Sequence, residues 1–118
     1  MTAVLRWRLH DKKHMNRIAF TIKLKPGCSE AYKKKYDEIW PELTSLLKKA
    51  GIREYSIFLE EETSLLFTVL KVIQVKDLET LAYLELTRSW WQHLSELMET
   101  KPDPLPAFKL LEEMFYLP

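Results

Sequence analysis

The first regular pattern along the chain is an alternation of apolar and polar side chains over residues 17–25. The apolar positions are Ile18, Phe20, Ile22 and Leu24. A period of two is typical of a strand with one buried face. Pro26 and Gly27 follow and are expected to end it. The pattern therefore predicts a first strand whose buried face is lined by branched and aromatic side chains.

A helical spacing of three to four residues replaces this alternation from about Ser29 to Gly51, where glycine supplies a C-terminal stop. The positions that recur at this spacing are Tyr32, Tyr36, Ile39 or Trp40, Leu43, Leu47 and Ala50. Pro41 removes one amide donor and crowds the carbonyl group four residues earlier. We therefore expect a bend or a fresh helix start near Trp40 rather than one straight helix.

The middle of the chain predicts a hairpin followed by a second helical region. Residues 52–59 and 65–72 have the apolar content of strands, and the short acidic segment 60–64 joins them as a turn. Residues 75–98 then return to a helical pattern, with an expected break around residues 85–87. This region accordingly predicts two antiparallel strands and one interrupted helix.

The last part of the chain predicts a fourth strand. Three prolines between residues 101 and 106 prevent the helix from continuing, and residues 109–117 are expected to be extended. The predicted order is βαββαβ, which is the split βαβ arrangement of a ferredoxin-like α+β domain. In such a domain both helical regions cover the same face of an antiparallel sheet.

The face of the sheet that the helices leave open is also predicted to be apolar. In the second strand Phe58 has the opposite parity to Tyr55 and Ile57, and the C-terminal segment is apolar on both parities. An uncovered apolar sheet face is typical of an association surface. We therefore expect a homodimer that packs sheet to sheet.

Composition narrows the classes of function. With 118 residues, 47% of them hydrophobic and 30% charged, the chain is expected to form one domain with one core. A net charge of +1 gives no electrostatic reason for a nucleic-acid or membrane-surface partner. No apolar run approaches the roughly 20 residues that cross a bilayer. Cys28 is the only cysteine, which excludes an intramolecular disulfide and fits a reducing cytoplasm.

Residues 1–14 differ from the rest of the chain and are interpreted as an N-terminal extension of a domain that spans residues 15–118. Their apolar segment, Ala3–Leu9, is interrupted by two arginines, which disfavours a secretory signal. His10 and His14 lie four residues apart, but two histidines without a third ligand are weak grounds for a metal site. We expect a solvated extension and no bound metal.

Several aromatic landmarks occur at the spacing of a known family. They are the segment YKKKYDEIWPEL at 32–43, Tyr55, the pair Trp90–Trp91 and the ending FYLP at 115–118. Together they resemble the L-rhamnose mutarotase family over the whole predicted domain. The resemblance implies a cytoplasmic, dimeric α+β barrel that interconverts the α and β anomers of L-rhamnose, or a related 6-deoxyhexose, without a cofactor.

The resemblance also assigns sugar-binding roles to Tyr32, Tyr55, Trp90 and Trp91. Tyrosine hydroxyls can donate to and accept from sugar hydroxyls, and indole rings can cover the C–H-rich face and methyl group of a 6-deoxy sugar. Neighbouring residues on a helix point about 100° apart, so at most one of the two adjacent indoles can point straight into the core. Trp40, which precedes the expected bend, is interpreted as a core residue.

One position departs from the family pattern. One turn after Tyr32, where the resemblance places a proton-donating histidine, this chain has Tyr36. A histidine titrates near pH 6.5, whereas a tyrosine titrates near pH 10 and is a good donor but a poor base. Tyr36 is the predicted catalytic residue, and Asp37 is expected to be solvated. Other residues that could act as acid or base are His93, Glu112 and Glu113.

Two further functions remain open from the sequence. The chain could bind a sugar without catalysing its interconversion, because the histidine is replaced. The same architecture also occurs in haem-handling and cofactorless monooxygenase proteins. That class ranks last, since His93 is the only histidine available in the main domain.

Overall fold

The protein is described here by a computed structural model that covers residues 15–100 and 107–118. The elements in chain order are β1 (Asn16–Lys23), α1 (Ser29–Asp37), α2 (Pro41–Lys49), β2 (Ile52–Glu60), β3 (Leu65–Val72), α3 (Lys76–Ala82), α4 (Glu85–Leu94), a 3-10 turn (Ser95–Leu97) and β4 (Phe108–Leu110). This order confirms the ferredoxin-like α+β prediction. The extension at residues 1–14, with its two histidines, and the three prolines at 101–106 lie outside the described residues.

The four described strands form one antiparallel sheet in the order β2-β3-β1-β4. The central pair β1 and β3 aligns its apolar positions, for example Ile22 opposite Leu66 and Ile18 opposite Leu70. Side chains of one parity in both strands therefore lie on the same face. The helices cover this face, and the core between the two layers is formed by Ile22, Leu24, Tyr32, Leu43, Leu66, Trp90, Leu94, Leu97 and Met98 and by a second cluster of Ile52, Leu70, Val72 and Leu81.

The break that proline predicts in the first helical region is present. Trp40 has an extended backbone, with φ −60° and ψ 129°, and Pro41 is the first residue of α2. A proline disfavours the helical conformation of the residue before it and is well placed in the first turn of a new helix. The region is therefore two helices, and the loop between them places Trp40 against the core.

Two element boundaries differ from the prediction. The second helical region breaks at Tyr83 and Leu84, just before the expected position, because Leu84 is extended with ψ 140°. The last strand was predicted over residues 109–117, and this extent is wrong, because β4 ends at Leu110. After one more backbone hydrogen bond, from Leu111 N–H to the Ala19 carbonyl, the contacts to β1 are made by side chains.

The segment Leu111–Pro118, called the C-terminal arm below, is held by Arg17. The Arg17 guanidinium donates two hydrogen bonds to the Glu113 carboxylate, at 2.9 and 3.1 Å, and lies 3.3 Å from the centre of the Tyr116 ring. Every residue of the arm is exposed, including Met114, Phe115 and Leu117. The arm is thus attached to β1 by an ion pair while its apolar side chains face away from the core.

A β-bulge interrupts β2 and changes which of its residues face the helices. Arg53 pairs with Lys71 and Ser56 with Val69, so Glu54 and Tyr55 both lie opposite Leu70. Glu54 has a positive φ of 51°, a left-handed conformation that costs a non-glycine residue about 1 kcal/mol or more. The extra residue shifts the alternation by one. As a result the residues that face the helical layer are Ile52 before the bulge and Tyr55, Ile57 and Leu59 after it.

The opposite face of the sheet, called the open face below, carries apolar side chains. Phe58 of β2 lies directly across from Phe67 of β3, and 61% of the Phe58 surface is exposed.

None of the described helices is long and apolar enough to cross a membrane.

Candidate functional site

A cavity of about 520 Å³ lies between α1 and the part of β2 that follows the bulge. Its size falls within the roughly 300–1,000 Å³ that is usual for small-molecule sites. The described residues that line it are Leu24, Ser29, Glu30, Tyr32, Lys33, Tyr36, Asp37, Tyr55, Ile57, Leu59, Glu61 and Leu66. The cavity thus combines an apolar floor from the sheet with polar groups from α1 and from the turn after β2.

Three tyrosines that the sequence singles out meet in this cavity. Tyr32 and Tyr36 are one helical turn apart on α1, and their ring centres are 5.1 Å apart. Tyr55 enters from β2 on the opposite wall because the bulge turns it toward the helices. Tyr32 is almost fully buried at 4% exposure, whereas 38% of Tyr55 remains accessible. The sequence predicts these residues individually, and the fold brings them together.

The hydroxyls of Tyr32 and Tyr55 strongly favour their neutral form. Burial raises the pKa of Tyr32 far above its usual value near 10, and the neighbouring Tyr36 hydroxyl adds to this effect. Burial of the hydroxyl end also raises the pKa of Tyr55 well above that value, again with contributions from Tyr36 and then Tyr32. Tyr32 and Tyr55 therefore carry no charge at neutral pH, and Tyr36 contributes to the raised pKa of both.

The raised pKa of Tyr32 predicts a specific loss of stability in alkaline solution. Below about pH 10 the hydroxyl is protonated in the folded and unfolded states alike, so its contribution is fully present. Above about pH 10 only the unfolded chain releases the proton, and the free energy of unfolding falls by up to about 1.4 kcal/mol per pH unit until the folded-state pKa is reached. Tyr32→Phe removes this dependence. Urea unfolding of both proteins at about pH 8 and about pH 11 should show the wild type losing more stability, and parallel losses would contradict the assignment.

The rim of the cavity carries charged groups that the sequence does not single out as a set. Lys33 and Asp37 form an ion pair of 2.8 Å along α1, and Glu30 and Glu61 lie on the same rim. Asp37 is largely exposed and ion-paired, as expected for a solvated residue, yet it also borders the cavity. The sequence does offer one indication that two of these residues lie near the tyrosines, because Lys33 and Asp37 each directly follow one of the two tyrosines on α1.

The two adjacent tryptophans occupy different environments. Trp90 is 2% exposed, and its ring centre lies 5.3 Å from that of Tyr36 and 4.9 Å from that of Trp40. Trp91 is half-buried at the edge of the core. Among the described residues that line the cavity, neither tryptophan appears. Trp90 instead supports Tyr36 from behind, and Trp40 packs on the core as expected.

The Trp90 indole nitrogen is a buried donor that finds no hydrogen-bond acceptor within residues 15–100 and 107–118. Buried donors are usually paired, because leaving one unpaired costs about 1–3 kcal/mol. This donor lies in the ring that contacts Tyr36, one aromatic layer from the cavity. The Thr87 hydroxyl is the other buried side-chain group without a partner among the described residues.

The alternative acid or base residues lie elsewhere. His93 is exposed, with its ring centre 5.5 Å from those of both Trp40 and Trp90, and it is not among the residues that border the cavity. Glu113 is paired with Arg17, and Glu112 is exposed in the C-terminal arm. The last strand, which was predicted to contain both glutamates, ends before them at Leu110.

A polar contact fixes α1 against the end of α4. The Lys35 ammonium, next to Tyr36 in sequence, donates to the His93 carbonyl and at 3.2 Å to the Glu96 carboxylate. Cations near a helix C-terminus interact favourably with its unpaired carbonyls. This contact holds the tyrosine-bearing helix in a defined position relative to Trp90.

The cavity and its tyrosines belong to a chain with many relatives. The family model for L-rhamnose mutarotase matches residues 17–117. The chain belongs to the L-rhamnose mutarotase family. L-rhamnose mutarotase of Flavobacterium johnsoniae is 50% identical over 101 residues, which are 86% of this chain and 94% of that protein. L-rhamnose mutarotase of Formosa agariphila is 44% identical over 103 residues, which are 87% and 99% of the two chains.

One solved structure agrees with membership of the L-rhamnose mutarotase family, and a second shares the fold. The crystal structure of an L-rhamnose mutarotase from Formosa agariphila superposes with a TM-score of 0.81 at 43% identity, covering 87% of this chain and 99% of that one. A structure described as a putative antibiotic biosynthesis monooxygenase from Nitrosomonas europaea superposes with a TM-score of 0.59 at 12% identity, covering 86% and 92%. The second likeness shows a shared fold alone. Among the described residues no group of histidine, cysteine, aspartate and glutamate could hold a metal ion.

Proposed function

We propose that the protein is an isomerase that interconverts the α and β anomers of L-rhamnose, or of a related 6-deoxyhexose. The observation that carries the proposal is the meeting of three tyrosines in one sugar-sized cavity, in a chain of the L-rhamnose mutarotase family. Sugar hydroxyls both donate and accept hydrogen bonds, and phenol hydroxyls match this dual character. The apolar floor of Leu24, Ile57 and Leu66 suits the C–H groups of a pyranose ring.

Interconversion of anomers requires only proton transfers and one bond rotation. The anomeric hydroxyl loses its proton, the ring oxygen gains one, and the bond between the anomeric carbon and the ring oxygen breaks. The open aldehyde rotates and closes again on its other face. In the proposed site Tyr36 donates to the ring oxygen, while Tyr32 and Tyr55 hydrogen-bond the sugar. This chemistry is proposed to need no cofactor.

Trp90 and Trp91 are proposed to bind the sugar beyond the tyrosines. Trp90 stacks edge-on against Tyr36 and has an unpaired indole donor within the described part of the chain. An indole offers an apolar face to the methyl group of a 6-deoxy sugar and an N–H group to one of its oxygens. A sugar that displaces the Tyr36 ring slightly would reach both groups.

The assembly and location of the protein are also proposed. The open face and the C-terminal arm both expose apolar side chains, and a second copy would cover them. We propose a homodimer of a domain spanning residues 15–118, with residues 1–14 as an extension, acting in the cytoplasm. In light scattering after gel filtration, Phe58→Glu should convert the dimer to a monomer. The control Tyr83→Glu alters a residue that is 80% exposed next to α3 and should leave the dimer intact. A dimeric Phe58→Glu protein would contradict packing through the open face.

Saturation-transfer NMR of L-rhamnose tests the proposed activity directly. Signals of the two anomeric protons are observed with and without a small fraction of protein, and exchange faster than in the blank supports the function. Exchange at the blank rate overturns it. If the sugar nevertheless quenched the tryptophan fluorescence, the protein would be a sugar-binding homologue without mutarotase activity.

A further inference from the structure

We propose that Tyr36 and Tyr55 act as a pair, passing protons between the anomeric hydroxyl and the ring oxygen without either phenol becoming ionised. This inference rests on the proposed mutarotase function and adds a catalytic role for Tyr55, which the family resemblance assigns to sugar binding alone. It also explains how a phenol can stand where the resemblance places a histidine.

The arrangement of the cavity supports such a pair. Tyr36 projects from α1 and Tyr55 from the facing strand β2, so the two side chains enter the cavity from opposite walls. Tyr36 is also among the groups that raise the pKa of Tyr55. A sugar in the cavity would meet both phenols, and each hydroxyl can accept one hydrogen bond while donating another. The anomeric oxygen and the ring oxygen are bonded to the same carbon, so a two-hydroxyl chain can bridge them.

The proposed step balances in atoms and charge. The anomeric hydroxyl gives its proton to the Tyr55 oxygen, Tyr55 gives its own proton to the Tyr36 oxygen, and Tyr36 gives its proton to the ring oxygen. The bond from the anomeric carbon to the ring oxygen breaks, and its electron pair receives the arriving proton. The anomeric carbon forms a double bond to its exocyclic oxygen. Both tyrosines end as neutral phenols, and the reverse sequence closes the ring.

The electrostatics of the cavity favour this concerted route over stepwise ionisation. A buried phenolate is disfavoured, and the pKa of Tyr55 is raised well above 10, so a separate base step through Tyr55 would be slow at neutral pH. Among the described residues, the other titratable groups that border the cavity are Glu30, Lys33, Asp37 and Glu61. Lys33 and Asp37 neutralise each other in an ion pair, so the described lining of the cavity holds no unpaired cation that could stabilise a phenolate.

Tyr32 has a different part in this arrangement. It is nearly fully buried, its ring centre lies 5.1 Å from that of Tyr36, and Tyr36 contributes to its raised pKa. We regard Tyr32 as a positioning residue that orients the Tyr36 hydroxyl. Tyr32→Phe should therefore reduce kcat less than loss of either member of the pair.

The decisive experiment compares Tyr36→Phe, Tyr55→Phe and the double variant in the NMR exchange assay. General acid–base assistance is worth about 10²- to 10⁴-fold, so each single variant should lose that much in kcat with KM little changed. The double variant should be no slower than the worse single variant, because residues that act as a unit are not additive. Tyr83→Phe, on an exposed tyrosine outside the cavity, is the control and should retain full kcat.

Two further readouts separate a pair from a single acid or base. The wild-type kcat should be level from about pH 6 to about pH 9, because a free phenol ionises only near pH 10 and burial raises the pKa of Tyr55 above that value. It should also fall non-linearly with the deuterium content of the solvent, because three protons move in one step.

Three results would overturn the inference while leaving the mutarotase function in place. The first is a Tyr55→Phe protein with raised KM and unchanged kcat, as expected for sugar binding alone. The second is additive losses in the double variant. The third is a pH–rate profile with a limb that Asp37→Asn removes, which would make that carboxylate the base. A wild-type protein that gives no acceleration overturns the pair and the proposed function together.

Discussion

Tyr36→Phe is expected to lower kcat for anomer interconversion by about 10²- to 10⁴-fold, the usual worth of a positioned acid or base. The substitution removes the hydroxyl that we propose donates to the sugar ring oxygen, and it keeps the aromatic ring of the side chain. The ring contacts with Tyr32 at 5.1 Å and with Trp90 at 5.3 Å do not require the hydroxyl. Fold and sugar affinity should therefore be preserved, and the loss should appear in the exchange rate at saturating sugar.

A loss of kcat in the Tyr36→Phe protein can be assigned to Tyr36 because another candidate acid or base, His93, lies away from the cavity. Circular dichroism and urea unfolding check that the Tyr36→Phe protein remains folded, and titration of tryptophan fluorescence checks that it binds the sugar. If kcat were unchanged, Tyr36 would not be the donor. His93→Ala would then be the next variant to assay, since this histidine lies two aromatic rings away from the cavity through Trp90.

Trp90→Ala is expected to cost about 3–5 kcal/mol of unfolding free energy, the range for truncating a large buried aromatic side chain. Trp90 is 2% exposed and contacts Tyr36, Trp40 and His93. A small domain has only about 5–15 kcal/mol of stability in total, so this variant should unfold at a much lower urea concentration. The same variant should lose the fixed orientation of Tyr36.

Trp91→Ala provides the matched comparison, because it removes the same side chain from the next position. Trp91 is half-buried at the edge of the core. Its replacement by alanine should therefore lower the free energy of unfolding clearly less than the replacement of Trp90. Urea unfolding of both variants at neutral pH measures the difference. Equal losses would contradict the packing described here, and a larger loss at Trp91 would mean that the two indoles exchange roles.

The parts of the fold that depend on local chemistry were predictable from the sequence. The alternation around Phe20 and Ile22 identifies β1, and Pro41 identifies the boundary between α1 and α2. These features follow from periods of two and 3.6 residues and from the missing amide of proline, all of which act within a few residues. The aromatic spacing also identified the family that the comparisons confirm.

The parts that depend on contacts between distant segments were not predictable in the same way. Helical geometry requires Trp90 and Trp91 to point in different directions, but only the position of α1 decides that Trp90 is the buried one. The backbone pairing of β4 ends at Leu110, and beyond it Arg17 binds the C-terminal arm through its side chain, at a distance of 96 residues along the chain.

Within the site, Tyr55 shows most clearly how pairing between distant segments decides the position of a residue. Strict alternation along β2 would place it on the face opposite Ile52, away from α1. The face that it occupies is decided by the bulge at Glu54, which no apolar pattern marks. Sequence reasoning therefore found the residue through a family resemblance, and the register of the sheet explains why it reaches the cavity.

The left-handed backbone at Glu54 has a consequence for ligand recognition. The direction of the Tyr55 side chain is set by the path of the main chain, within a sheet whose hydrogen bonds are already formed before any ligand enters. A phenol oriented in advance loses little rotational freedom on association, whereas a flexible side chain would lose about 0.5–1.5 kcal/mol in being immobilised. The strain stored in one peptide unit during folding thus preorganises the protein for its sugar.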